Sequence, residues 1–134
     1  MAGLTHLVDS DVVIRALRGP GPELTTKLLE NDGRIALSSI SVAELTYGAL
    51  RSDRRDEALD AVEDFLDSVV VLDIDGRAGR VAGAVRAELA ARGTPIGPYD
   101  VLIAGQARAE GLVLATGNTR EFERVTDLRV ELWR

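Results

Sequence analysis

Five short runs rich in aliphatic and β-branched residues alternate with longer stretches of helical period, and no other feature of the chain limits the fold as much. Leu4 to Val8, Arg34 to Ser38, Val69 to Ile74, Leu112 to Thr116 and Leu128 to Trp133 read as strands. Between them, helices are predicted over Ser10 to Leu17, Glu23 to Glu30, Ser41 to Leu50, Asp53 to Asp67, Gly76 to Arg92, Tyr99 to Glu110 and Thr119 to Arg124. Gly19-Pro20-Gly21-Pro22 breaks the first helix from the second, and Thr94 to Pro98 reads as a loop. Strands that alternate with helices predict a parallel sheet covered on both faces. The expectation is one α/β domain over residues 1–134, long enough to bury roughly 65–70% of its unfolded-chain surface.

Composition then restricts the chemistry. The chain has no cysteine, which excludes thiol catalysis, disulfides and thiolate zinc sites. It has a single histidine, His6, read as a structural residue of the first strand, and a single lysine, Lys27. Carboxylates, hydroxyls and arginines must therefore do the work. No apolar run approaches the ~20 residues of a membrane span, and no charged flank precedes a long apolar stretch. A cytoplasmic protein with no membrane attachment is expected.

The net charge of −6 argues at first against a nucleic-acid partner. Its distribution weakens that objection. Asp53 to Asp75 holds nine acids and two arginines, a net −7, so the rest of the chain sums to +1. The excess reads as a solvated helix face, or as a docking surface for a basic partner segment.

The remaining acids fall at strand ends and helix starts, where open α/β sheets bind ligands. Asp9 and Asp11 follow the first strand, and either could be an ordinary N-terminal helix acid. Glu44 follows Ser41 in capping-box spacing, in what reads as the first turn of its helix. Asp100 opens a helix that looks largely buried, so a partner or a metal is expected beside it. Asn118 and Glu121 follow the fourth strand, again in capping-box-like spacing. Each acid has a local explanation, but a parallel sheet brings them to one edge, where they would repel one another without a cation. Oxygen ligands without thiolate or histidine suit Mg²⁺ or Mn²⁺, and such a site suits phosphoester chemistry.

Four segments, in order, resemble the PIN domain, and within it the toxin ribonucleases of VapBC toxin–antitoxin systems. They are Val8-Asp9-Ser10-Asp11-Val12-Val13-Ile14, Ser41-Val42-Ala43-Glu44-Leu45 with Gly48, Pro98-Tyr99-Asp100 with Ile103-Ala104, and Thr116-Gly117-Asn118-Thr119-Arg120-Glu121-Phe122. The resemblance implies a five-stranded parallel sheet between helices. It implies Mg²⁺- or Mn²⁺-dependent endonucleolytic hydrolysis of RNA by a metal-activated water. It makes Asp9, Glu44 and Asp100 the metal-binding acids, with Asn118 as a fourth catalytic position where many members have an aspartate. Glu121 is the nearest carboxylate that could take over there. Ser10, Asp11, Thr119, Arg120 and Glu121 fall near the family's active site, as phosphate-contacting or supporting residues. The resemblance further implies a homodimer and a VapB-type antitoxin.

Three other readings compete. Asp9-Ser10-Asp11-Val12-Val13 fits the nucleophile motif of haloacid-dehalogenase-type phosphatases, but that class needs a downstream lysine, and Lys27 is badly placed. A receiver domain fails on the same missing lysine. The third reading is a non-catalytic protein-binding module whose acids are only helix caps.

Overall fold

The computed structural model describes residues 3–134. Its elements are β1 (His6–Val8), α1 (Ser10–Arg18), α2 (Gly21–Glu30), β2 (Ile35–Ser38), α3 (Ser39–Leu50), α4 (Arg55–Asp67), β3 (Val70–Leu72), α5 (Gly76–Ala91), α6 (Pro98–Glu110), β4 (Val113–Thr116), α7 (Thr119–Phe122) and β5 (Val130–Leu132). Every expected strand and helix is present, and the strands form one parallel sheet in the order β3-β2-β1-β4-β5. The chain therefore winds outward from β1 to one edge and then crosses to β4 and the other edge. The switch point lies between β1 and β4.

Because strand side chains alternate, neighbouring residues feed two separate cores. Leu7, Ala36 and Leu114 join Val85, Leu89, Ile103 and Phe122 beneath α5 and α6. Val8, Leu37 and Ala115 join Val12, Val13, Leu24, Leu45 and Trp133 on the other face. Burial of each large apolar side chain contributes about 1.5–3 kcal/mol, so both faces of the short strands hold the sheet. Among the described residues, no helix is long and apolar enough to cross a membrane.

Several element boundaries differ from the sequence expectation for local reasons. Helix α2 begins at Gly21 and accommodates Pro22, since proline is tolerated in a first turn where no intrahelical N–H bond is needed. Pro98 likewise opens α6 rather than ending the preceding loop. Helix α3 begins at Ser39, because the Ser38 hydroxyl caps it by accepting from the Ile40 amide at 3.1 Å. The Ser41–Glu44 capping box is thus not formed: Ser41 lies inside the helix, its hydroxyl buried and, among the described residues, unpartnered. His6 is structural, as expected, with Nδ1 2.7 Å from the Thr5 hydroxyl, Nε2 3.0 Å from Glu131, and its ring 4.9 Å from that of Trp133.

Helices α5 and α6 meet backbone to backbone. A Cβ added at Gly105 would lie 2.4 Å from the Ala82 Cα, so only glycine fits there. Gly83, one residue further along α5, faces open space. Gly105→Ala is expected to destabilise the protein by about 1–3 kcal/mol through overpacking. Gly83→Ala should be neutral or stabilising by up to about 1 kcal/mol. Urea denaturation of the two variants measures both.

Candidate active site

The sheet's carboxyl edge collects the acids. The β-ladder continues one residue past β1, where the Asp9 amide donates to the Ala115 carbonyl at 2.8 Å. Asp9 then caps α1, its Oδ1 accepting from the Ser10 amide at 2.8 Å. Its Oδ2 accepts from the Thr116 hydroxyl at 2.9 Å, and the residue is only 6% exposed. The N-cap expected from the sequence is therefore real, yet it occupies one oxygen of a carboxylate that is otherwise turned to the strand end. Burial foremost, then the charges of Asp11 and Glu44, push the Asp9 carboxyl up to about 6, against the downward pull of Thr116 and the Ser10 amide.

With α3 starting at Ser39, Glu44 sits in the second turn and not in the first. It is freed from any capping role, and its Oε1 accepts from the Ser10 hydroxyl at 3.3 Å. Asp100 occupies the first turn of α6, as expected. Burial raises its carboxyl most, followed by the charge of Glu121 and a hydrogen bond shared with it. The more distant charges of Asp9 and Glu44 add to this, and together they push Asp100 up to about 7.

Glu121 is more central than its place in the sequence suggested. Its Oε1 accepts from the Gly97 amide at 2.8 Å and its Oε2 from the Asn118 side-chain amide at 2.9 Å. Asn118 stands at the N-cap of α7 but makes no side-chain cap bond. Asp11 reaches across to Gly117, whose amide lies 3.1 Å from Oδ2. Thr119 begins α7, and Arg120 is exposed and, among the described residues, forms no ion pair.

Three residues that sequence reasoning did not single out also shape the site. Thr116, fully buried, donates to Asp9 and accepts from the Asn118 amide at 3.0 Å. Gly97 and Gly117 bring backbone against carboxylates: a Cβ at Gly97 would lie 3.2 Å from Asp100 Oδ2. The available signal was a hydroxyl at the inward end of an apolar strand, and a β-branched residue there reads simply as strand.

Among the described residues, no three acids or histidines form a ready-made metal cage, since Glu44 and Glu121 are turned onto neighbouring donors. The donor set nevertheless fits a hard divalent cation. All its ligands are oxygens, and the carboxyls of Asp9 and Asp100 are raised partly by each other's neighbours, a repulsion a cation relieves.

The sequence matches the PIN domain family over residues 6–128. The chain belongs to that family. This PIN domain is 40% identical over 130 residues to the tRNA(fMet)-specific endonuclease VapC of Shigella flexneri, which covers 97% of this chain and 98% of that protein. It is 39% identical to ribonuclease VapC2 of Haemophilus influenzae over the same shares of both chains. Its structure is similar to the crystal structure of DNA-bound VapBC from Salmonella typhimurium, with a TM-score of 0.94, 40% identity, and 98% and 99% of the two chains covered. VapBC2 of Rickettsia felis bound to a promoter DNA fragment is similar at a TM-score of 0.92 and 28% identity, covering 98% of this chain and all of that one. The whole-length match removes the phosphatase reading.

The two raised carboxyls make a stability prediction for the PIN domain without divalent cations. A carboxyl held above its ordinary value of 3.8 binds more protons folded than unfolded, so stability falls as pH rises from about 4 towards 7. Asp9→Asn removes part of that penalty and is expected to raise stability at pH 7 by on the order of 1 kcal/mol. At pH 4 the gain disappears. Thermal melts in chelator at both pH values test this, and a gain of equal size at both would contradict it.

Proposed function

We propose that this PIN domain is an endoribonuclease that depends on a divalent cation, Mg²⁺ or Mn²⁺, and serves as the toxin of a type II toxin–antitoxin pair. The observation that carries the reading is the gathering of Asp9, Glu44 and Asp100 at the switch point, with the first and last pushed up to about 6 and 7. Full-length identity of about two residues in five to proteins named VapC endonuclease and ribonuclease supports the activity. Because two such relatives are named tRNA(fMet)-specific, an initiator tRNA is the first substrate to offer.

Asp9, Glu44 and Asp100 would hold the cation, which would supply Lewis acidity that favours deprotonation of water and offsets charge developing on the phosphoryl group. The protein's own part is to hold oxygens in place. Thr116 and the Ser10 amide orient the Asp9 carboxylate, and the Ser10 hydroxyl orients Glu44. The Asn118 side chain and the Gly97 amide orient Glu121, which we assign the place of a fourth acid, with Asn118 as its support. Arg120, exposed on α7, is free to give charge-assisted hydrogen bonds to a phosphate.

A groove of about 500 Å³ between α1, α3 and α4 supports the antitoxin part of the proposal. Ile14, Leu17, Leu45 and Ala49 give it an apolar floor, and it opens on Glu44. A partner helix lying in it would pass against Glu44. A homodimer belongs to the same proposal, and light scattering should return twice the 14.4 kDa chain mass.

Asp9→Asn, Glu44→Gln and Asp100→Asn are each expected to lose at least about 100-fold in RNA cleavage, since each removes a charged oxygen from the reacting centre. Their circular dichroism should stay that of the parent. Sequencing of RNA ends after incubation with Mn²⁺, against a chelated control, identifies the cut. Full activity in any one of the three, or cleavage unaffected by chelator, overturns the assignment.

A further inference from the structure

We propose that Asp11 is a positioning residue, a clamp that fastens the Gly117 turn and so holds both Thr116 and Asn118 in register with the acids. The inference deepens the nuclease reading and rests on it for its effect on catalysis. Asp11 lies in the first turn of α1, where an acid is commonplace, but its carboxylate is not spent on that helix. Both of its oxygens lie near the Gly117 amide, at 3.1 and 3.4 Å, a contact that joins positions 106 residues apart.

Gly117 has no left-handed backbone that would call for glycine. What it lacks is room: an added Cβ would lie 2.8 Å from Asp11 Oδ2. The carboxylate and the glycine thus fit each other. On one side of the clamped amide, the Thr116 hydroxyl bonds Asp9 and receives the Asn118 amide. On the other, the Asn118 side chain donates to Glu121, which accepts from the Gly97 amide, and a Cβ at Gly97 would lie 3.7 Å from Glu121 Oε1 and 3.2 Å from Asp100 Oδ2. Release of Gly117 therefore loosens the Thr116 support of Asp9 and the Glu121 carboxylate beside Asp100 together, although among the described residues no hydrogen bond joins Asp11 to either acid.

Substitutions separate the clamp from a role for the negative charge. Asp11→Ala removes the acceptor and should lower RNA cleavage by roughly 10- to 100-fold, as loss of a supporting hydrogen bond around a metal site does. Asp11→Asn keeps a carbonyl acceptor and should restore most of the activity. Gly117→Ala displaces only the end of a flexible side chain, so it should leave the melting temperature nearly unchanged while costing about as much activity as Asp11→Ala. In the Asp11→Ala background Gly117→Ala should cost little more, because both break one contact.

Hydrogen exchange at the Gly117 amide reads the clamp without any cleavage assay. It should accelerate in Asp11→Ala and stay slow in Asp11→Asn. Unchanged exchange in Asp11→Ala overturns the clamp, as do additive losses in the double variant or an Asp11→Asn variant as impaired as Asp11→Ala. Absence of RNA cleavage by the parent protein, with the exchange pattern as expected, overturns the nuclease reading and leaves the clamp standing.

Discussion

Hydrogen bonding of β1 on both of its sides is the constraint on which the rest of the molecule depends. Only His6–Val8 form that strand, yet they pair with Ile35–Leu37 on one side and Val113–Ala115 on the other. The bond from the Asp9 amide to Ala115 extends the ladder into the site. Asp9 is therefore fixed by the same interactions that define the middle of the sheet. Displacing β1 by one residue would exchange the side chains of its two faces, send Leu7 and Val8 to the wrong cores and turn the carboxylate away.

Electrostatics at this edge runs against stability and in favour of function. Partly buried acids that raise one another's proton affinity weaken the empty fold near neutrality, and the compensation comes from apolar packing beneath them. The acids are also restrained by neutral donors: a threonine hydroxyl, a serine hydroxyl, an asparagine amide and backbone N–H groups. Such donors orient a carboxylate without neutralising it, so its charge remains available to a cation. An arginine in the same places would have held the acids more tightly and cancelled what they offer.

The layout was legible in the sequence because it follows from periodicity. Each strand and helix appears where apolar spacing placed it, and the convergence of Asp9, Glu44 and Asp100 followed from parallel topology alone. Boundaries were less legible where side-chain caps decide them: Ser38, not Ser41, starts α3, and that one choice moves Glu44 from a capping role into the site. The roles of Thr116, Gly97 and Gly117 were hidden for another reason. They depend on contacts between segments far apart in the chain, and a small or β-branched residue carries no local sign of such a contact. Glu121 and Asn118 were visible as a pair, but their division of labour depends on which hydrogen bond each makes.

The backbone contact between Gly105 and Ala82 has a mechanical consequence for the site. With no more than the Ala82 methyl between them at this point, α5 and α6 slide or part only at the cost of the whole interface, so they behave as one stiff beam. Asp100 is mounted on the end of that beam, and Asp9 on the centre of the sheet. Glu121, by contrast, rides on a helix of four residues behind a glycine turn. Asp9 and Asp100 thus take their places from the sheet and the beam, whereas the place of Glu121 depends on single hydrogen bonds, from Gly97 and Asn118, and on the Asp11 contact at Gly117 behind them.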